Sequence, residues 1–379
     1  MKKLTGKRTV EKERSRLTVI VDLFVCRKTQ TGTCTYAEEL WRALEDAGNQ
    51  WGAVRIVPLR GPRLCQSRMF LARVFNFLVD IGWYQVWLPF YAWVLRADVV
   101  HYTANCGSLW GRHQQLVTVH DTLFLDSRTD FGGLFRLYTR LLWVPTIRRA
   151  DAVVTVSQHS AKAIQEQLHR TSYVVWNGPG NSQLWGAPVR QALPSEAPYF
   201  LYVGMVAAHK NLGVLLKALT RVRCKHPTVR LVLAGGTGRN RDGSRSTMEM
   251  NIAEQGLGEA VTLTGYISTP QLAMWIRGAQ ALMLPSFHEG FGFTPLEALR
   301  LGVPVVVSGI PVMREILGEG ALYADPDNPE QWVEHMEHLL EPQFRTMRVV
   351  VGRQITGRYS WESTAQQYLQ IYQRMGEKS

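Results

Sequence analysis

Twice along this chain, short apolar runs alternate with stretches of helical period, and that repeated alternation limits the fold more tightly than any other feature. In the first half, apolar runs at 17–25, 54–59, 98–102, 116–120, 152–157 and 173–176 are separated by helical segments such as 36–46. Alternation of this kind predicts parallel strands joined by crossover helices. A loop rich in proline and small residues, 186–198, interrupts the pattern and reads as an interdomain linker. The second half restarts it, with runs at 199–203, 229–234, 260–264, 281–284 and 303–307 and helices at 211–222 and 269–278. The latter helix opens on a capping box, Ser268 to Gln271. The expected fold is therefore α/β, two facing Rossmann-like doubly wound domains over 17–190 and 191–360. Ligands of such sheets bind beyond the carboxyl ends of the strands, so the loops after those ends are where chemistry is expected.

With 379 residues, 46% of them hydrophobic, the chain has length and apolar content for two cores. A charged fraction of 20% argues against global disorder. The five cysteines (Cys26, Cys34, Cys65, Cys106, Cys224) are odd in number, scattered and without a C-x-x-C. Neither a disulfide framework nor a zinc site is indicated, and a reducing cytosol is the expected compartment. The formal charge of +12 implies an acidic partner: nucleotide phosphates, a membrane surface or nucleic acid. Residues 1–16 carry seven Lys or Arg against Glu11 and Glu13. This tail is expected to be disordered, either solvated or touching anionic lipid. A secretory signal is not indicated, because the run 17–26 is interrupted by Asp22 and followed by no small-residue cleavage site.

The segment from Phe287 to Val307 carries the strongest chemical signal. Two carboxylates, Glu289 and Glu297, stand eight positions apart around a turn containing Gly290 and Gly292. Thr294 fits an N-cap, Pro295 the first helical position and Glu297 the third, so a helix is expected to begin here. Its free N–H groups would face an approaching phosphate, which the glycines allow close to the backbone. Glu289 can reach sugar hydroxyls from before the turn, and Glu297 can accept from a ribose, as the acid of dinucleotide folds does. Thr294 to Glu297 is equally a capping box, which accounts for Glu297 without a ligand.

This segment resembles the E-x7-E signature of the retaining glycosyltransferases of family 4, the group 1 glycosyltransferases, which share the GT-B fold. The likeness continues through 302–308 and 311–315 to Ala324-Asp325-Pro326. It implies a turn of Gly290, Phe291, Gly292 and Phe293 binding the donor. Gly204 and, six positions on, Lys210-Asn211 resemble the family's G-x5-K-N element, whose lysine contacts donor phosphates; Met205 stands where many members have arginine. Gly32, in Thr31-Gly32-Thr33-Cys34-Thr35-Tyr36, matches a loop that often reads T-G-I-G-R-Y, with Cys34 and Thr35 replacing a glycine and an arginine. No G-x-G-x-x-G is present, so a NAD-binding reading fails. His120, at the end of 116–120, resembles the family's histidine loop and is implied to touch the donor sugar or support the transition state; a lone histidine is otherwise more often structural. Tyr266 stands where the family contacts the base, or is a strand-end aromatic packed in the core.

The resemblance implies same-face transfer of a hexose from a nucleoside diphosphate sugar, with catalytic roles for His120, Lys210 and Glu289. It requires no metal and no cofactor besides that substrate, and Asp325-Pro326-Asp327 lies outside the expected site. The His120 and Lys210-Asn211 segments look mannosyltransferase-like, favouring GDP-mannose over UDP sugars. A saccharide or lipid-linked saccharide acceptor in polysaccharide biosynthesis and a cytoplasmic location, peripheral at the inner membrane face, are the accompanying expectations. Residues 361–379 resemble the family's terminal helix, which crosses back onto the first domain. A sugar nucleotide epimerase, needing no acceptor, is the rival enzyme. A non-catalytic basic module binding membrane or nucleic acid is the other alternative, though no specific nucleic-acid motif is present.

The stretch 69–95 is nearly continuously apolar, rich in Trp and Phe, and interrupted by Arg73, Asn76, Asp80 and Pro89. Those interruptions argue against a spanning helix. Two readings remain: helices buried in the first core, or an interfacial surface meeting a lipid-linked acceptor.

Overall fold

The computed structural model describes residues 16–377 other than 30, 66, 68, 126–131, 187–196 and 237–243. The basic tail and most of the expected linker lie outside the described residues. The chain forms two compact units, Met1–Gly178 together with Ser360–Ser379, and Pro179–Tyr359. The change of unit comes before the proline-rich loop, because 179–184 is already packed into the second unit. There Leu184 is buried against Ala273 and its carbonyl accepts from Arg277.

The first unit runs β1 (Leu17–Asp22), α1 (Val25–Lys28), α2 (Gly32–Trp51), β2 (Val54–Leu59), α3 (Phe70–Gly82), α4 (Leu88–Val94), β3 (Val99–Tyr102), β4 (Gln114–Val119), α5 (Gly133–Tyr138), α6 (Val144–Arg149), β5 (Ala152–Thr155), α7 (Gln158–Leu168) and β6 (Tyr173–Val174). Its sheet is parallel, in the order β2-β1-β3-β4-β5-β6. Central strands covered on both faces read as continuous β-branched runs rather than alternating ones. Val19, Ile20 and Val21 are accordingly all fully buried. Single π-helical turns, Trp83–Trp87 and Thr139–Trp143, join α3 to α4 and α5 to α6. No apolar periodicity announces such turns.

The second unit runs β7 (Tyr199–Val203), α8 (Leu212–Lys225), β8 (Arg230–Ala234), α9 (Ser244–Glu254), β9 (Val261–Gly265), α10 (Thr269–Gly278), β10 (Ala281–Leu284), α11 (Phe293–Arg300), β11 (Val305–Ser308), α12 (Pro311–Leu317), β12 (Leu322–Ala324), α13 (Pro329–Leu340) and α14 (Pro342–Thr356). Its parallel order is β12-β11-β10-β7-β8-β9, the order of a dinucleotide-binding sheet. The capping box at Ser268 forms, with the Ser268 N–H donating to Gln271 Oε1 at 3.0 Å. The three-residue β12 is too short to announce itself by periodicity.

The last helix, α15 (Trp361–Gly376), belongs to the first unit through buried polar contacts. His101, fully buried on β3, is bonded at Nδ1 to the Tyr372 hydroxyl (2.7 Å) and at Nε2 to Thr118 Oγ1 (2.8 Å). Thr118 also meets the Tyr36 hydroxyl of α2 at 3.0 Å, and Tyr36 meets Tyr368. Another buried polar group sits at the end of β1. Asp22 Oδ1 accepts from Trp83 Nε1 (2.9 Å) and from the Phe24 N–H (3.0 Å), and burial pushes its carboxyl up to about 6. Lys28 pairs with Asp80 at 2.6 Å, and the Tyr138 hydroxyl donates to the other Asp80 oxygen. The 69–95 segment is therefore neither wholly buried nor wholly exposed. Trp83, Tyr84, Leu88 and Ala92 face the core, while many of its other large apolar side chains are exposed. Asn76 turns to the backbone of Cys65 and Asp80 is buried, so only Arg73 of the expected polar stripe stands in solvent.

Burial holds His101 down to about 3, and His113 and His120 down to about 4. Unfolded histidines take up protons below about pH 6.5. Stability from these three groups is complete above that value and lost as pH falls toward 4; Asp22, raised to about 6, works in the opposite sense with one proton against three. We expect the melting temperature to fall between pH 6.5 and 4 and the His101→Gln variant to show a shallower slope, read by differential scanning calorimetry across that range.

Candidate active site

In the second unit β7 and β10 are neighbours, yet the chain continues from β7 toward β8 on one side and from β10 toward β11 on the other. Loops leaving the two strands diverge there, which opens a crevice beyond their carboxyl ends. Lys210, from the loop after β7, reaches Glu289, from the loop after β10, with Nζ to Oε1 at 2.6 Å. Only 17% and 14% of the two side chains remain accessible. The backbones are joined as well, since the Phe287 N–H donates to the His209 carbonyl at 2.9 Å. Asn211 follows in left-handed conformation (φ 52°), and its side-chain amide donates to the Pro326 carbonyl at 2.7 Å. That bond fixes the end of the loop and so the aim of Lys210.

Helix α11 starts two residues earlier than expected. Its N-cap is Gly292 (φ 85°), not Thr294, so Glu297 is the fifth helical residue and no capping box forms. Glycine is favoured at 292 by that left-handed φ, which L side chains rarely adopt. Freed from capping, Glu297 is buried and its Oε1 accepts the Asn181 N–H at 2.9 Å. Gly180 (φ 108°) lies so close to that carboxylate that any Cβ would overlap it. Glu297 thus anchors the segment that enters the unit.

The remaining expected residues divide. Gly290 and Gly292 are in the turn before α11, while the Phe291 ring is buried against Phe293 and Tyr359. Gly204 follows β7, its N–H bonded to the Ala234 carbonyl at 2.9 Å. Tyr266 follows β9 and is 72% exposed, so the reading of a packed core aromatic does not hold; β8 lies between its strand and β7. In the first unit, Gly32 is the first residue of α2. His120 follows β4, with Nε2 on the Thr103 carbonyl at 2.9 Å and its ring edge-on to Tyr36. A carbonyl only accepts, so Nε2 carries the proton and the neutral ring keeps Nδ1 as an acceptor.

Several polar groups escaped the sequence reading. Ser286, two residues past β10, and Ser308, the last residue of β11, have buried hydroxyls with no partner among the described residues. Only their position at or just past a strand end could have singled them out. Half-buried His209 abuts the ion pair, and burial, then Lys210, hold its imidazole below the usual range. In the first unit, Cys26, Cys34 and Glu38 bring two sulfurs and a carboxylate oxygen within 4.8 Å of one another, a cluster the scattered spacing concealed. Arg60 and Arg42 already hold the two Glu38 oxygens.

Residues 187–354 match the family described as Glycosyl transferases group 1. The chain is 29% identical over 221 residues to the O-antigen chain mannosyltransferase RfbU of Salmonella typhimurium, covering 58% of each protein. It is 29% identical over 190 residues to a D-inositol 3-phosphate glycosyltransferase of Thermobispora bispora, covering 48% of this chain and 44% of that one. The chain thus spans about half the length of the curated relatives it matches. Among solved structures, sucrose-phosphate synthase from Thermosynechococcus elongatus superposes with a TM-score of 0.76 at 20% identity, over 96% of this chain and 100% of that one, which shows a shared fold.

Removing one member of the Lys210–Glu289 pair leaves a largely buried charge without its partner. Lys210→Met and Glu289→Gln are each expected to destabilise the second unit by about 2 kcal/mol. The double variant should recover about 1–2 kcal/mol of the summed loss, read from urea unfolding.

Proposed function

We propose that the protein, whose residues 187–354 match the group 1 glycosyl transferases, is a retaining hexosyltransferase. It moves mannose, from GDP-mannose in preference to UDP sugars, to a saccharide or lipid-linked saccharide acceptor of cell-surface polysaccharide synthesis. The reaction takes place in the cytoplasm, at the inner membrane face. The observation that carries the reading is the Lys210–Glu289 pair at the crevice where β7 and β10 part. The mannose preference draws on the relatives, among them an O-antigen mannosyltransferase.

Breaking the anomeric bond builds oxocarbenium character on the sugar and negative charge on the departing phosphate. Lys210 is the cation placed for that phosphate, and the free N–H groups at the start of α11 add partial positive charge. Losing one such donor costs about 3 kcal/mol in the transition state. Glu289 steadies Lys210 before the donor arrives and then offers acceptor oxygens to sugar hydroxyls. An ion-paired carboxylate is a poor nucleophile, which favours direct same-face substitution over the covalent route of retaining glycosidases. The leaving phosphate oxygen takes the acceptor's proton as the new glycosidic bond forms. The role of His120 toward the sugar rests on family resemblance, and its neutral imidazole suits a hydrogen bond rather than a charge contact.

Thermal-shift titration with GDP, UDP, ADP and their sugar conjugates tests the donor. A ligand at 100 times its dissociation constant adds about 2.7 kcal/mol of stability. The expected result is a selective shift with GDP and GDP-mannose, weakened in Glu297→Ala and largely kept in Glu289→Ala, which loses transfer. No shift with any nucleotide would sink the proposal, and donor turnover without acceptor would favour the epimerase.

A further inference from the structure

Sugar transfer leaves unexplained the outer surface of α3, α4 and α5 and the π turns that follow α3 and α5. In α3, Phe70, Leu71, Val74, Phe75 and Leu78 are exposed, at spacings of one and four that make a single stripe. The next π turn and α4 repeat the device with Val86, Trp87, Phe90, Tyr91, Trp93 and Val94. A third, narrower stripe consists of Leu134, Leu137 and Leu141. Exposure reaches 74% at Phe70, 73% at Trp93 and 72% at Leu134. These helices are held from behind, by Trp83 on Asp22, by Lys28 and Tyr138 on Asp80, and by the Phe77 ring 5.1 Å from Tyr138. The exposed residues are therefore the outer face of anchored helices rather than a loosened core. Soluble surfaces rarely carry contiguous apolar area on this scale without an occupant.

We infer that this face docks on a bilayer rich in anionic lipid, lying in the headgroup region without spanning it. Charge selects that occupant. Between residues 69 and 95 the only acid is Asp80, which is buried and paired, while residues 132–150 hold four arginines and no acid. Arg73 and Arg140 stand exposed on stripe-bearing α3 and on the π turn after α5, and Arg148 and Arg149 stand exposed at the end of α6. Trp and Tyr beside arginine suit the boundary between headgroups and acyl chains. A second copy of this chain is the poorer occupant, since a twofold interface would set this cationic face against itself. Among the described residues no helix is long and apolar enough to cross a membrane, which agrees with helices that lie on the surface. The inference does not depend on the nature of the sugar donor.

The test pellets the full-length protein with sucrose-loaded vesicles of mixed phosphatidylglycerol and phosphatidylcholine, or of phosphatidylcholine alone. Binding is expected on the anionic vesicles and at least tenfold weaker on the neutral ones. The triple variant Trp87→Ser, Phe90→Ser, Trp93→Ser should lose about tenfold or more in affinity, given the apolar area withdrawn. Arg73→Gln and Arg140→Gln should cost about fivefold each, since a basic residue near such a surface contributes about 1 kcal/mol. Nucleotide-induced thermal shifts should be unchanged in all of them, which separates this result from any failure of the donor reading. Unaltered vesicle binding by the triple variant would overturn the inference and assign lipid affinity to the basic tail. A dimer in size-exclusion chromatography that the triple variant abolishes, with no vesicle binding by either protein, would overturn it in favour of self-association.

Discussion

A cation and a carboxylate 2.6 Å apart, each contributed by a different loop, hold the second unit's crevice in order. Lys210 ends a single 3-10 turn, Ala208–Lys210, and Glu289 lies in the irregular stretch before α11. Desolvating the two charges costs energy that their attraction must offset, so such a pair is weak evidence of stability and better evidence of a geometry being specified. Support around it agrees with this: Asn211 on the Pro326 carbonyl, Phe287 on the His209 carbonyl, and Gly292 fitted beneath Met313 all restrict where Lys210 and Glu289 can be. On the function proposed above, an incoming diphosphate would meet a lysine already placed and would compete with Glu289 for it. Binding then exchanges one charge-assisted contact for another and avoids ordering a free side chain, whose entropy is among the largest of any residue.

The first unit relies on buried polar groups in a different way. Tyr36, Thr118, His101, Tyr368 and Tyr372 form one hydrogen-bonded chain through its interior, and Asp22 and Asp80 form a second centre beneath the aromatic helices. Partners at these positions must meet in one register or be left unpaired at a cost of about 1–3 kcal/mol each. The apolar residues of both cores supply the bulk of the stabilisation without dictating a unique arrangement. The polar pairs add a constraint of register to that packing.

The two sheets and most of their strands were legible because parallel strands buried on both faces leave continuous β-branched runs, as at Val19–Val21 and Val305–Val307. The element carrying Glu289 and Glu297 was legible for its turn and glycines. The misplacement of its N-cap was not avoidable by propensity alone: threonine and glycine rank about level as caps, and the left-handed backbone at Gly292 starts the helix two residues early. Contacts that join distant segments were invisible for the same reason, since neither Glu297 on Asn181 nor Cys26 beside Cys34 leaves a local pattern. The 69–95 stretch was ambiguous because apolar period marks a face without saying what covers it, and here successive helical faces go to the core and to solvent.

The placement of α15 bears on how the molecule is made. Residues 179–359 are contiguous and emerge from the ribosome as a finished set, whereas the first unit, begun earlier, lacks its closing helix until residues 360–376 have been synthesised. Until then the ring of His101 and the hydroxyls of Tyr36 and Thr118 await their partners on Tyr368 and Tyr372. The half of the protein translated first is thus completed last. During that interval it presents both an open polar seam and the aromatic stripes of α3 and α4 to the surroundings, a state in which domains aggregate most readily.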